Sequence, residues 1–169
     1  MPISRIDLQL CVLACTIASP AVGGTSALPQ AGLPTSARVQ SVKVAGLQQP
    51  AQILVDHWGV PHIYAASQED AFFVQGYNAA RDRLFQIDLW RRRGLGRLSE
   101  VFGPGFVEQD TASRLFLYRG DMHKEWQAYG KNAQGIAERF VAGINAYIDE
   151  VAADPKKLPL EFRQFAYAP

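Results

Sequence analysis

One stretch limits what this chain can fold into more than any other. Between Ser67 and Gly96, with no proline to interrupt it, Phe72, Phe73, Gly76, Tyr77, Ala80, Leu84, Ile87 and Arg91 follow one another at three- and four-residue steps. That spacing predicts a long helix with an aromatic face turned inward. Ser67, with an acid at Asp70 three residues on, has the pattern of an N-cap. Gly94 and Gly96 supply the backbone freedom that a helix C-cap needs.

Before Ser67 the period is two instead. Val42 and Val44, then Ile53 and Val55, then Ile63 alternate with polar residues, and Gly46 with Pro50 and Gly59 with Pro61 flank two turns. This predicts two or three short antiparallel strands. Beyond Gly96 a second helical piece runs through "RLSEVFG" and stops at the glycines of 103–105. A third is expected within Asp110–Tyr129, with Leu115, Tyr118, Met122 and Trp126 on one face. A fourth runs from about Asn132 to Ala153, with Ile136, Phe140, Ile144, Tyr147 or Ile148, and Val151 as its stripe, and Asp154-Pro155 ends it. Short strands followed by a run of helices make the fold class α+β.

The first residues have a different character. Arg5 precedes an apolar run from Leu8 to Ala18, with small residues and proline after it, the layout of a secretory signal peptide of residues 1–27, or 1–21 if cleavage follows Ala21. A buried helix or a disordered leader is the alternative. The run is too short for a membrane span. Residues 28–38 read as a flexible leader and order is expected from Val39, so residues 39–169 form the folded part. Both cysteines, Cys11 and Cys15, lie in the first segment, so its removal leaves no thiol for a disulfide, a zinc site or a nucleophile. "VLAC" at Val12–Cys15 faintly resembles a lipoprotein processing box; two small residues in a signal core are the plainer reading. The expected location is periplasmic or secreted.

A formal net charge of +1 argues against a dedicated nucleic-acid binder. Arg91, Arg92 and Arg93 could meet phosphates, but Asp88 sits three and four residues before the first two, where helix neighbours pair. "GLGRLS" imitates part of a dinucleotide loop, yet follows a helix where that loop must follow a strand. His57, His62 and His123 have no carboxylate cluster or His-Glu-x-x-His around them, so no metal ligands are assigned. Ser67, Ser99 and Ser113 lack a Gly-x-Ser-x-Gly elbow or a Ser-x-x-Lys. No catalytic, substrate-binding or metal residue is assigned to this chain.

Three stretches, in order, do carry a likeness. "DHWGVPHIYA" (Asp56–Ala65), "GYNAARDRLFQIDLWRRRGLGRLSEVFG" (Gly76–Gly103) and "FVAGINAYID" (Phe140–Asp149) together resemble the start of the penicillin acylase (penicillin amidase) family, within the N-terminal-nucleophile hydrolases. The resemblance runs from about Val42 to Pro169. It implies the N-terminal part of the small subunit of a four-layer αββα hydrolase, made as a secreted precursor, a zymogen that cleaves itself in two. It implies hydrolysis of linear N-acyl amides, as in β-lactam antibiotics or acyl-homoserine lactones, through an acyl-enzyme on a serine that begins the large subunit. That serine, the oxyanion donors and the ligands of the family's structural calcium are all expected beyond Pro169. The large subunit is then the implied partner, and the chain alone is expected to be inactive. Its aromatic last stretch, "LPLEFRQFAYAP", is expected to need more protein against it. Arg81 or Arg83 is expected to meet carboxylates on that partner. The alternatives are a non-catalytic interaction module built on the same scaffold, and a small α+β domain with a chance likeness.

Overall fold

The computed structural model describes residues 41–169. The expected signal peptide (1–27 or 1–21), the leader (28–38), the order boundary at Val39, and Cys11 and Cys15 lie outside the described residues.

Two strands, β1 (Gln52–Val55) and β2 (Pro61–Tyr64), precede six helices: α1 (Gln68–Leu95), α2 (Ser99–Phe102), α3 (Val107–Leu115), α4 (Met122–Ala128), α5 (Ala133–Ala153) and α6 (Leu160–Gln164). The strands pair antiparallel, with Ile53 opposite Ile63 and Val55 opposite Pro61. Pro61 opens its strand, where the missing N–H costs least. Gly59, at φ +80°, lets the connecting loop fold back so that the Asp56 amide donates to the Val60 carbonyl. The expected third strand around Val42 and Val44 does not form. Its chain is tied to a helix instead: the Gln48 and Gln49 amides donate to the Asp70 carboxylate, and Val44 packs against the core.

Helix α1 begins as its sequence predicts. Ser67 Oγ accepts from the Asp70 amide, and Gly96, at φ +63°, closes the far end with bonds back to Arg92 and Arg93. Inside the helix, Arg83 leaves helical geometry (φ −143°, ψ 27°). Past that point the buried positions are Leu84, Asp88 and Arg92, so the inward face passes through Arg92 where Arg91 was expected.

The core lies between α1 and α5. Tyr77, Ala80 and Leu84 meet Ile144, Tyr147, Ile148 and Val151, with Phe162 of α6 at the end of the seam. Each large side chain so buried contributes about 1.5–3 kcal/mol. The helices touch backbone to backbone where Gly76 faces Phe140 and Gly143 faces Phe73 and Tyr77. A Cβ on Gly76 would fall on the Phe140 carbonyl; one on Gly143 would fall on the Phe73 carbonyl and 2.7 Å from the Tyr77 nitrogen.

The expected third helix is two. Phe116 ends α3, and the Asp121 side chain starts α4 by accepting from the His123 amide. A continuous helix would have to pass through Gly120 for the sake of a stripe of which Leu115, Tyr118 and Met122 are exposed and Trp126 alone is half-buried. The last stretch, in contrast, finds partners within the chain. Phe162 meets Phe85 and Tyr167 edge-on, and Phe165 stacks on Phe85 with ring centres 5.9 Å apart. Leu160 and Phe165 stay partly open. Ala166 holds this turn at φ +54°, a left-handed conformation that strains any residue with a Cβ.

Two substitutions test this packing. Gly143→Ala is expected to destabilise the fold by about 3 kcal/mol or more, because a backbone atom and not a movable side chain stands in the way. Ala166→Gly is expected to stabilise it by about 0.5–1 kcal/mol, the strain relieved exceeding the added freedom of the unfolded chain. Urea denaturation of both variants reads these shifts.

Candidate functional site

The polar groups that helix packing buries are committed to one another. Asp70 is 0% exposed, and its oxygens accept from the Gln48 and Gln49 amides at 2.9 Å each and from Arg139 at 3.2 Å. In a capping box the acid at this position would reach back to the cap residue; here it ties the preceding loop to α1. Arg139, from α5, also donates to the Gly46 carbonyl and lies over the Phe73 ring, joining loop, α1 and α5.

Asp88 lies on the buried side of α1, with Arg91 and Arg92 each 2.7 Å away. The pairing expected from the sequence is therefore present. Arg92 is itself buried and covers the Tyr167 ring at 5.1 Å. Burial and then the Asp88 charge push the Tyr167 phenol up, so it stays neutral. Arg93 turns outward and rests on the Trp90 indole at 4.9 Å.

The Gly-x-Gly loop binds an anion that the chain supplies itself. The Leu98 and Ser99 amides donate to the Asp110 carboxylate at 2.9 and 2.8 Å, and the Ser99 hydroxyl donates at 2.6 Å. The amides that would have to face a phosphate are thus occupied. Burial pushes the Asp110 carboxyl up, but the Ser99 hydroxyl and the two amides outweigh it and hold the group below the ordinary aspartate range. Gly96 is obligatory here for a second reason: a Cβ would fall on the Asp110 carbonyl oxygen.

At the centre of the helix pair, the Tyr77 hydroxyl donates to Glu150, whose other oxygen takes Lys157. Burial, then the Glu150 hydrogen bond, push the Tyr77 phenol up. Arg81 is held by Asn78 at 2.6 Å and Asp82 at 3.0 Å. Arg83 is exposed.

His62 Nε2 lies 3.1 Å from Asp56 Oδ2, and Asp56 Oδ1 accepts from the Trp58 and Val60 amides. The ring thus meets a side-chain carboxylate six residues before it. The Val60 amide, then His62, hold Asp56 below the ordinary aspartate range. This pair is half of a catalytic relay without the other half. Among the described residues no serine is bonded to a histidine: Ser67 caps a helix, Ser99 serves Asp110, and His123 meets Gln127. No group of three His, Cys, Asp or Glu among them could hold a metal ion, and none of their helices is long and apolar enough to cross a membrane. An open groove beside this frame is lined by Trp90, Arg93, Gly94, Ser113 and Phe116.

What sequence reasoning missed is the role of Asp110 and Asp70. Asp70 sits three residues after a cap, a local signal; Asp110 lies eleven and twelve residues from its donors, and no local pattern marks it.

The penicillin amidase family model matches residues 50–169. A penicillin acylase 2 proenzyme from Pseudomonas sp. (strain SE83) is 35% identical over 72% of this chain and 15% of its own length. Penicillin G acylase from Escherichia coli is 34% identical over 70% of this chain and 14% of its own. Acyl-homoserine lactone acylase QuiP from Pseudomonas aeruginosa is 34% identical over 81% of this chain and 16% of its own. The chain thus spans 14–16% of the length of these relatives. Among solved structures, a thermostable penicillin G acylase from Alcaligenes faecalis superposes with a TM-score of 0.66 and 33% identity, covering 72% of this chain and 64% of that chain.

Asp56, Glu100, Asp110 and Glu150 all titrate below their ordinary values. A carboxyl lowered in the folded state adds stability above its unfolded pKa and loses it as pH falls through the folded one. The melting temperature is therefore expected to hold steady from pH 7 to about 5 and to fall below about pH 4. Asp110→Asn should melt lower at pH 7 and decline less steeply below pH 4. Circular dichroism melts across this range check both; parallel declines would refute the role given to Asp110.

Proposed function

This chain belongs to the penicillin amidase family, and on that premise we propose that it is the N-terminal part of the small subunit of an exported acylase. The enzyme would hydrolyse the linear amide between an acyl group and an amine, the substrates being β-lactam antibiotics or acyl-homoserine lactones. Those are the compound classes in the names of its relatives. The observation that carries the reading is the family match over residues 50–169, together with a frame whose buried polar groups are spent on holding helices.

In this reading the chain contributes scaffold. The nucleophile, a serine at the start of a large subunit with its own α-amino group as base, comes from the rest of the precursor. The hydrogen-bonded acids described above have their lone pairs occupied and titrate low or sit in ion pairs, which makes them poor general bases at neutral pH. Export rests on the signal-like layout of residues 1–27.

The coding sequence downstream is expected to hold a Gly-Ser or similar junction followed by large-subunit motifs. The chain alone, assayed on phenylacetyl and long-chain acyl amides, is expected to show no turnover, and the chain together with the downstream segment is expected to show it. Clear turnover by the chain alone would overturn the assignment of the nucleophile to the large subunit.

A further inference from the structure

Between α3 and α5 the chain leaves the packed frame. Of residues 116–132, Leu117, Glu125 and Trp126 are half-buried and the others are exposed. Helix α4, in the middle of this segment, buries no residue. The close pairings among the described elements join α1 to α5 and to α3, and α4 shares in none of them. At seven residues it is also too short to be stable by itself in water.

The bonds that shape the segment are local. The Tyr118 hydroxyl donates to the Asp121 carbonyl, the His123 amide donates to the Asp121 carboxylate, and the His123 ring meets Gln127. The Trp126 and Tyr129 rings lie 5.8 Å apart, and the Arg119 guanidinium donates to the Arg114 carbonyl. All of these close within five residues, so none of them ties the segment to α1 or α5. A stretch with so little buried area opens at low free energy while the core stays folded.

One peptide bond inside it is the most accessible to a protease that cuts after basic residues. Arg119 and Gly120 belong to no helix, since Phe116 ends α3 and Asp121 caps α4. Exposed stretches with small residues are the preferred sites of nicking. The competing basic residues are held more firmly. Arg93 and Lys124 lie within helices, Arg97 is bonded to Glu100, Lys157 is bonded to Glu150, and Lys131 sits in a hydrogen-bonded turn that leads into α5. A cut after Lys43 would leave the frame in one piece.

A cut after Arg119 falls between the two halves of the core. Helix α1 lies before it, and α5 and α6 lie after it. The halves are joined without the covalent link by the backbone approach at Gly76 and Gly143, by Tyr77 on Glu150, by Asp70 on Arg139 and by Phe85 on Phe162.

We propose that Arg119–Gly120 is a processing site for a protease specific for basic residues, which divides the chain into two pieces that stay locked across the α1–α5 seam. Water adds across this amide, leaving a carboxylate on Arg119 and a free amine on Gly120. The proposal does not depend on the acylase reading.

Limited digestion of the chain with trypsin, followed by mass spectrometry, tests it. The first cut within residues 44–169 is expected after Arg119, at a rate nearly flat in urea below the unfolding transition, because a local opening exposes little new surface. The two pieces are expected to coelute in gel filtration and to melt together, at a temperature that now rises with protein concentration. Arg119→Gln is expected to prolong the life of the uncut frame about fivefold or more, with an unchanged melting temperature. A first cut within α1 or α5, a rate that follows global unfolding in urea, or pieces that separate would each overturn the proposal.

Discussion

The close approach of Gly76 to the Phe140 backbone, and of Gly143 to the Phe73 backbone, is the contact on which the rest of the architecture depends. With no Cβ on either side, α1 and α5 meet at backbone distance. That approach brings Tyr77 onto Tyr147 and Glu150, and sets Asp70 where Arg139 can reach it. Pushed apart by one methyl group, the helices would loosen a seam in which small shifts forfeit much of the dispersion energy. The two glycines stand in two of the three stretches that carry the family likeness, which gives part of that likeness a physical meaning.

Around this crossing the chain uses buried carboxylates as fasteners. Asp70 holds the loop before α1, Asp88 holds the arginines at its end, and Asp110 holds the turn that follows it. Each is an ion that would be costly to bury alone, and each is matched by amides or guanidinium groups that would be costly to leave unmet. Such groups give little net stability over an apolar alternative, but they tolerate few other arrangements. Their effect is to define one geometry for α1, α3 and α5.

How far this was legible differs by range. The long helix, its Ser67 cap and its Gly96 stop, the α5 stripe and the Asp88–Arg91–Arg92 pairing all rest on neighbours within about four residues, and periodicity shows them. The misread elements failed where distant partners intervened. Val42–Val44 alternates like a strand, but the chain that follows it is drawn to Asp70. Leu115, Tyr118 and Met122 are spaced like a helix face, but no second surface among the described residues covers them, and Gly120 with Asp121 divides the segment. Arg91 and Arg92 exchanged places because the backbone departs from helical geometry at Arg83, a shift that an ideal 3.6-residue period does not anticipate.

By itself, then, the sequence determined the helical frame, its caps, the α+β class and the family, because each depends on local spacing or on ordered motifs. Only the tertiary structure decided that Asp110 occupies the amides of the Gly-x-Gly loop, that Gly76 and Gly143 let α1 and α5 meet at backbone distance, and that Trp90 and Phe116 share an open groove. Those facts join residues far apart in the chain, and their energies come from desolvation and close packing, which exist only once the helices have met.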